Sequence, residues 1–351
     1  MASSHIILTQ MIHYTRTQTT PSNTAKVAVL GGGILGLVSA NYLVNQGLDV
    51  TLISEEIGGS WQSGGLKLLK WHPQLEQLLA QLKVPFFVDE VEGAVWWKEH
   101  IIPLSEVTEK IQQAHFLKTR GTMDGYANTC MNAASGQEKI IDIDFNTFVQ
   151  RARKNINIHL AKVVELSLIQ TGVSIDMDDD TVDTFDYVVT SLPLWLFRRV
   201  AAWHMPNTMC NKVHIADTHT HSRMFWRYKY VYFPENGGPH RISTSDCEQK
   251  VWMAEITGVT EPDWIKAITI IQKTIKDARL GRVRATLPGH IYPLTEKLNY
   301  PINVLPVGRF ASWNPRETVD KIMDKLSDFV EHVCLKKCGN VRKFNNDTGL
   351  L

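Results

Sequence analysis

A chain of 351 residues carrying a formal net charge of +1 is long enough for two domains or one large one, with an ample core. The near-neutral balance gives no electrostatic case for nucleic acid or a membrane surface as partner. No stretch approaches the roughly 20 apolar residues of a membrane span. Five cysteines (Cys130, Cys210, Cys247, Cys334, Cys338) lie scattered without a C-x-x-C pair, which predicts reduced thiols in a cytoplasm-like compartment.

Residues 1–24 are polar and rich in Thr, Ser and Gln, and are expected to form a flexible tail. The run Val27 to Leu30 has the length and branching of a buried strand. It leads directly into Gly31-Gly32-Gly33-Ile34-Leu35-Gly36, a G-x-G-x-x-G fingerprint. A helical pattern follows (Leu37, Val38, Ala40, Tyr42, Leu43), stops at Gln46-Gly47, and gives way to a second strand, Val50 to Ile53. In this β-α-β context the glycines predict a dinucleotide site: Gly31 for the turn, Gly33 for approach to a pyrophosphate, Gly36 for close helix–strand packing. The amides of Ile34 and Leu35 open the helix, whose positive end favours phosphate.

A ribose-binding acid is expected about 20 residues on, where Ser54, Glu55 and Glu56 stand. Ile57-Gly58-Gly59 follows. Fingerprint, strand and GG together resemble the flavoprotein superfamily of amine oxidases, protoporphyrinogen oxidases and UDP-galactopyranose mutases. That resemblance implies FAD, held in an α/β Rossmann-type (glutathione-reductase-like) domain interleaved with an α+β substrate domain. Ser54 stands where the family usually has Glu, so Glu55 is expected to take the ribose from a shifted position. Ser60 replaces an Arg that many members carry after the glycines, and Trp61 follows it in the same cofactor loop.

Further along, Leu75, Leu78, Leu79 and Leu82 predict a helix behind Pro73. The resemblance runs the preceding segment past the flavin ring, making Lys67, Lys70, Trp71 and His72 candidates for the active-site edge. Phe86 to Leu104 reads as short strands turning at Glu92-Gly93, with Ser105 as a helix N-cap. The loop Lys118 to Tyr126 is either an ordinary connector or a substrate loop in which Arg120 holds an anion. Asp144 caps a helix, Phe145 to Lys154. Strands follow at Ile156 to Leu160, Val163 to Ile169 and Val173 to Met177, with a turn at Gln170-Thr171-Gly172 and another at Asp178-Asp179-Asp180. No metal-ligand set is found. Phe185 to Leu194 resembles the family's return to the nucleotide domain, and Val163 matches its adenine contact.

Arg223 to Arg241 alternates aromatic and basic residues, with Tyr228, Tyr230 and Tyr232 expected on one strand face. In the family a similar strand pair brings Tyr and Arg to the flavin cavity, and Tyr232 and Arg241 match best. Pro262-Asp263-Trp264 opens a helix with Trp264, Ile265, Ile268, Ile271 and Ile275 on its apolar side. Val307 to Trp313, before an amphipathic helix (Val319, Ile322, Met323, Leu326, Phe329, Val330), resembles the second FAD contact, at Gly308 and Arg309. The implied division gives FAD-binding parts at 25–85, 140–195 and 303–335, substrate-domain parts at 86–139 and 196–302, and a second tail at 336–351.

One fingerprint, and no Ser-His-Asp triad, favours an enzyme whose organic substrate meets the flavin directly. The family implies oxidation at a C–N centre of a small amine or amino-acid-type substrate, with hydride passing to flavin N5, C–N cleavage, and Lys67 or Lys70 ordering water. Compact members of the superfamily act as bacteriophage lyases on amino-acid adducts of modified thymidine, a narrower version of the same reaction. A second reading is a redox-neutral mutase on a nucleotide sugar, its diphosphate held by Arg120, Arg223, Arg227 and Arg241. A third is a non-catalytic flavin-binding partner protein.

Overall fold

The computed structural model describes residues 24–59, 69–118, 137–219, 228–234, 239–246, 251–257, 261–274, 279–292, 294, 296–314 and 317–337. The chain opens with β1 (Lys26–Gly33), α1 (Ile34–Asn45) and β2 (Asp49–Gly58). Next come β3 (Leu69–Lys70), α2 (Pro73–Gln81), β4 (Phe86–Trp97), β5 (His100–Pro103), α3 (Glu109–Lys118), β6 (Gln137–Ile143) and α4 (Phe145–Ala152). Then follow β7 (Asn157–His159), β8 (Val163–Ile169), β9 (Gly172–Met177), β10 (Val182–Phe185), β11 (Tyr187–Thr190) and α5 (Leu194–Val200). The remainder is β12 (Cys210–His219), β13 (Tyr230–Tyr232), β14 (Arg241–Asp246), β15 (Val251–Thr257), α6 (Glu261–Thr274), β16 (Arg279–Ile291), β17 (Val304–Pro306) and α7 (Val319–Lys337).

Five strands form a parallel sheet in the order β17-β11-β1-β2-β7, the doubly wound arrangement of Rossmann-type folds. Its strands are apolar on both faces because both are covered. Val27, Val29 and Leu52 pack under α1, α2, α4 and α7 through Leu37, Leu75, Phe148, Ile322 and Leu326. Ala28, Leu30, Ile53 and Val188 pack on the opposite side with Leu166, Ile175, Phe197 and Trp313. A three-stranded antiparallel sheet (β10-β9-β8) contributes to that second face. The rest of the chain builds a mixed sheet, β16-β12-β15-β14-β13-β4-β6-β3, with β5 added on β4.

Local chemistry explains the elements that match expectation. Asp144 accepts the Thr147 N–H at 2.6 Å and starts α4, and Gly172 turns the β8–β9 hairpin. Asp180, at φ 62°, turns β9 into β10, a strand that the acidic run concealed.

Four expectations are corrected. The chain does not turn at Glu92-Gly93, because β4 continues through it. A Cβ on Gly93 would lie 2.2 Å from Tyr230 Cε2 and 2.6 Å from Leu104 Cδ1, so this glycine makes room for a ring. The reversal falls at Lys98 and Glu99, whose φ values of 48° and 67° suit a tight hairpin although neither is glycine. Ser105 lies in a 3-10 turn (Leu104–Glu106) and caps no α-helix. The amides of Ile111 and Gln112 instead bond the Thr108 carbonyl at the start of α3. Tyr228 precedes β13 and packs with Val231 and Phe233, while Tyr230 and Tyr232 pack with Val95, Leu104 and Ile111. α7 continues to Lys337, two residues into the stretch expected as a second tail.

Gly93→Ala is expected to cost about 1–3 kcal/mol by overpacking against Tyr230. A thermal melt should show a lowered Tm with two-state shape retained. An unchanged Tm would mean that the Tyr230 ring moves aside freely.

Candidate functional site: a glycine cradle and a paired arginine

The cradle begins where β1 meets α1. Gly31 has φ +99° and leaves 2.6 Å between a built Cβ and Ser191 Oγ. A Cβ on Gly36 would sit 1.8 Å from the Gly31 carbonyl oxygen, so helix and strand touch backbone to backbone. A Cβ on Gly33 meets no atom of the described residues within 4 Å, which leaves space among them in front of this residue. Gly33 is the N-cap of α1, with no side-chain cap hydrogen bond and no acid in the first helical turn. Open space and an uncapped twelve-residue helix end on Ile34 and Leu35 fit a phosphate. Gly59, at φ +62°, lies over Gly33, with 3.0 Å between its built Cβ and Gly33 Cα.

Beyond Ile53 the structure departs from the simple picture of a strand ending at its ribose acid. β2 runs on to Gly58 and pairs Ile57 with Gly32 and Gly58 with Gly33. The Ser54 hydroxyl accepts the Gly32 N–H at 2.8 Å and donates to the Glu56 carbonyl at 2.7 Å. Ser54 therefore locks the loop. Glu55 and Glu56 are exposed at the same strand end. Ser60, Trp61 and Lys67 lie outside the described residues, as do Arg120, Arg223 and Arg227.

The second contact region follows β17. Gly308 has φ +94°, and a Cβ there would lie 2.4 Å from Leu35 Cδ1, so this turn packs on the cradle. Arg309 stacks on Phe310 at 4.6 Å. Arg309 also counters part of the burial that pushes the Cys210 thiol above its ordinary range. Sequence reasoning missed two groups here. Ser191, one of the small hydroxyl residues after β11, donates to the carbonyls of Leu30 and Gly31 at 3.0 and 3.3 Å. Glu317 is a buried carboxylate 2.5 Å from Lys325 Nζ. Burial raises its pKa, against the opposing pull of Lys325 and the Gly308 amide.

Residues ahead of α2 are occupied with structure. Lys70 Nζ lies 3.3 Å from Glu138, and Trp71 donates to Glu76 at 2.6 Å beneath Lys139. His72 caps α2 by accepting the Gln74 N–H and meets Asp324 of α7 at 3.1 Å. Val163 starts β8 as a buried residue of the second core cluster, while Val164 is exposed.

The structure brings Tyr232 and Arg241 together. They are cross-strand partners of β13 and β14, and Arg241 is in turn the partner of Glu255 on β15. Arg241 donates through Nη2 to Glu255 at 2.5 Å and through Nη1 to the Tyr232 hydroxyl at 3.3 Å. Glu255 was not singled out from sequence, although an acid within the apolar run Val251–Thr257 is the signal that reveals it. Among the described residues there is no His/Cys/Asp/Glu cluster able to hold a metal, and no helix long and apolar enough to cross a membrane.

No protein-family model and no curated protein sequence matches the chain. Solved structures do. A reduced UDP-galactopyranose mutase superposes with a TM-score of 0.61 at 11% identity, over 92% of this chain and 100% of that one. A putrescine oxidase variant gives 0.55 at 11%, over 90% and 100%. Glycine oxidase from Bacillus cereus gives 0.55 at 13%, over 93% and 100%. The chain shares its fold with these proteins, a mutase and two oxidases. FAD is the cofactor that the sequence resemblance implies, and the uncapped α1 terminus, with no described atom within 4 Å of a Cβ built on Gly33, fits its phosphates.

Proposed function

We propose that the protein is an FAD-dependent enzyme that oxidises a C–N centre of a small amine or amino-acid-type substrate. The observation that carries the cofactor assignment is the cradle: three glycines whose missing side chains respectively admit a turn, a ligand and a helix. Gly31, Gly33 and Gly36, with the amides of Ile34 and Leu35, hold the pyrophosphate. The loop Gly59-Ser60-Trp61 is assigned to the same cofactor, Glu55 takes the ribose, Val163 lies by the adenine, and Gly308 with Arg309 meets the ribityl chain. Ser54 serves indirectly, by holding Gly32.

FAD, when bound, supplies a hydride acceptor at N5. The protein's part is to place the substrate C–H there and to admit one water. Loss of hydride from carbon and of a proton from nitrogen leaves an imine, and addition of water breaks the C–N bond. Lys67, or Lys70 within its pair with Glu138, orders that water. Tyr232 and Arg241 hold the substrate. If the substrate is an amino-acid adduct of a modified thymidine, the same steps would cleave the adduct at its C–N bond, the two electrons passing from the flavin to an external acceptor such as dioxygen.

The test is the visible spectrum of the purified protein under anaerobic conditions, before and after addition of a panel of amines and amino-acid adducts. A yellow protein bleached by a member of the panel supports the assignment and names the class. A yellow protein bleached by none overturns amine oxidation in favour of a mutase-like reaction on a nucleotide sugar. A colourless protein that does not take up FAD overturns the cofactor.

A further inference from the structure

The mixed sheet presents two unlike faces at its centre. On one, Val231, Ile242, Ala254 and Ile256 pack against Ala267 and Ile271 of α6, a purely apolar contact. On the other, Tyr232, Arg241 and Glu255 stand side by side on three adjacent strands. Arg241 and Glu255 have side chains only 12% and 9% exposed. Ser243, two residues beyond Arg241 and thus on its face, is fully buried, and its hydroxyl has no hydrogen-bond partner among the described residues. An apolar sheet face costs less to build than one carrying a buried ion pair and an unsatisfied hydroxyl. The trio bonds within itself, and the unpartnered Ser243 hydroxyl beside it is the group that a ligand on this face would satisfy.

We propose that Glu255 is a specificity-determining residue: by cancelling the charge of Arg241 it makes this face accept a zwitterionic amino-acid-type group and reject a diphosphate. The inference rests on the flavoenzyme reading above and narrows its substrate class. A lone buried guanidinium attracts any anion, and most strongly a multiply charged one. A guanidinium held 2.5 Å from a carboxylate presents no net charge. A diphosphate arriving here would meet Glu255 as closely as Arg241. An amino acid instead matches the pair end for end, ammonium toward Glu255 and carboxylate toward Arg241. Two further cations at this sheet are paired in the same way, Lys70 with Glu138 at 3.3 Å and Lys229 with Asp142 at 3.5 Å.

The test uses the FAD-loaded full chain and two probes, sarcosine and inorganic pyrophosphate, each titrated by calorimetry under anaerobic conditions. The wild type is expected to bind sarcosine and not pyrophosphate. Glu255→Gln should weaken sarcosine at least tenfold and create measurable pyrophosphate binding. Unchanged affinities in Glu255→Gln, or wild-type pyrophosphate binding tighter than sarcosine, would overturn the proposal. Should Glu255→Gln not fold, the double variant Arg241→Met/Glu255→Met, which removes both charges together, is expected to fold, to lose sarcosine and to gain no pyrophosphate. Retention of sarcosine by that variant would overturn the role equally. The yellow colour of each variant reports FAD separately, so failure of the cofactor assignment is distinguishable from failure of this one.

Discussion

Gly36→Val is expected to yield a protein that neither folds stably nor retains FAD, whereas Gly33→Ala should fold normally and still bind FAD poorly. The two glycines lie three residues apart, yet their missing side chains face opposite problems. At position 36 a Cβ would stand 1.8 Å from the Gly31 carbonyl oxygen, and backbone cannot step aside as a side-chain tip can. Overpacking of this kind costs about 3 kcal/mol or more. At position 33 a Cβ meets no atom of the described residues within 4 Å, so an added methyl is expected to intrude on the ligand. Loss of one close phosphate approach should weaken FAD about tenfold or more. Thermal melts and the ratio of flavin to protein absorbance separate the two outcomes. A Gly33→Ala protein with undiminished FAD would remove the phosphates from this loop.

Lys325→Met should destabilise the fold by about 3 kcal/mol at pH 8, near the lower end for breaking a buried pair because Lys325 is itself 30% exposed. The loss should shrink toward pH 4.5. The sign follows from Glu317, whose burial raises its pKa above the ordinary 4.5. Below that value the carboxyl is protonated in both folded and unfolded chains and costs nothing. As pH rises past it, the unfolded chain ionises first, and stability falls until the folded carboxyl has ionised as well. Removing Lys325 raises the folded pKa further and lengthens that decline. Adding Glu317→Gln should restore most of the alkaline stability. Denaturant midpoints at pH 5 and pH 8 for the three proteins check this, and a pH-independent loss in Lys325→Met would show that Glu317 is not the group involved.

The nucleotide-binding part of the fold was legible because its signals are local. An apolar run, glycines at fixed spacing and a helical period all fall within Lys26 to Ile53, and each constrains the same unit. Asp144 and Gly172 were readable for the same reason, since a cap or turn acts on its own neighbours. What escaped was set across the sheet. Gly93 looks like a turn until Tyr230, far along the chain, supplies the ring that needs its space. Ser54, which stands where a ribose-binding Glu is usual, has its hydroxyl 2.8 Å from the Gly32 amide, a contact that the sequence does not announce. Glu255 and Glu317 carry no motif at all. Glu255 shows in the sequence only as an acid in an apolar run, and the cation beside each, Arg241 or Lys325, is brought there by the fold.

Gly308 resting on Leu35 also has a bearing on biosynthesis. The central parallel sheet is closed by β17, which comes near the end of the described chain, after the whole mixed sheet has been made. A ribosome-bound chain lacking that strand has its fingerprint helix but neither the last β-strand nor the glycine that abuts it. Such a nascent chain lacks the turn that packs on the cradle, so flavin is expected to enter once β17 is in place rather than to template the chain. Pairings this distant in sequence also make for slow folding. Supplying flavin late in a refolding experiment should therefore recover as much holoprotein as supplying it at the start.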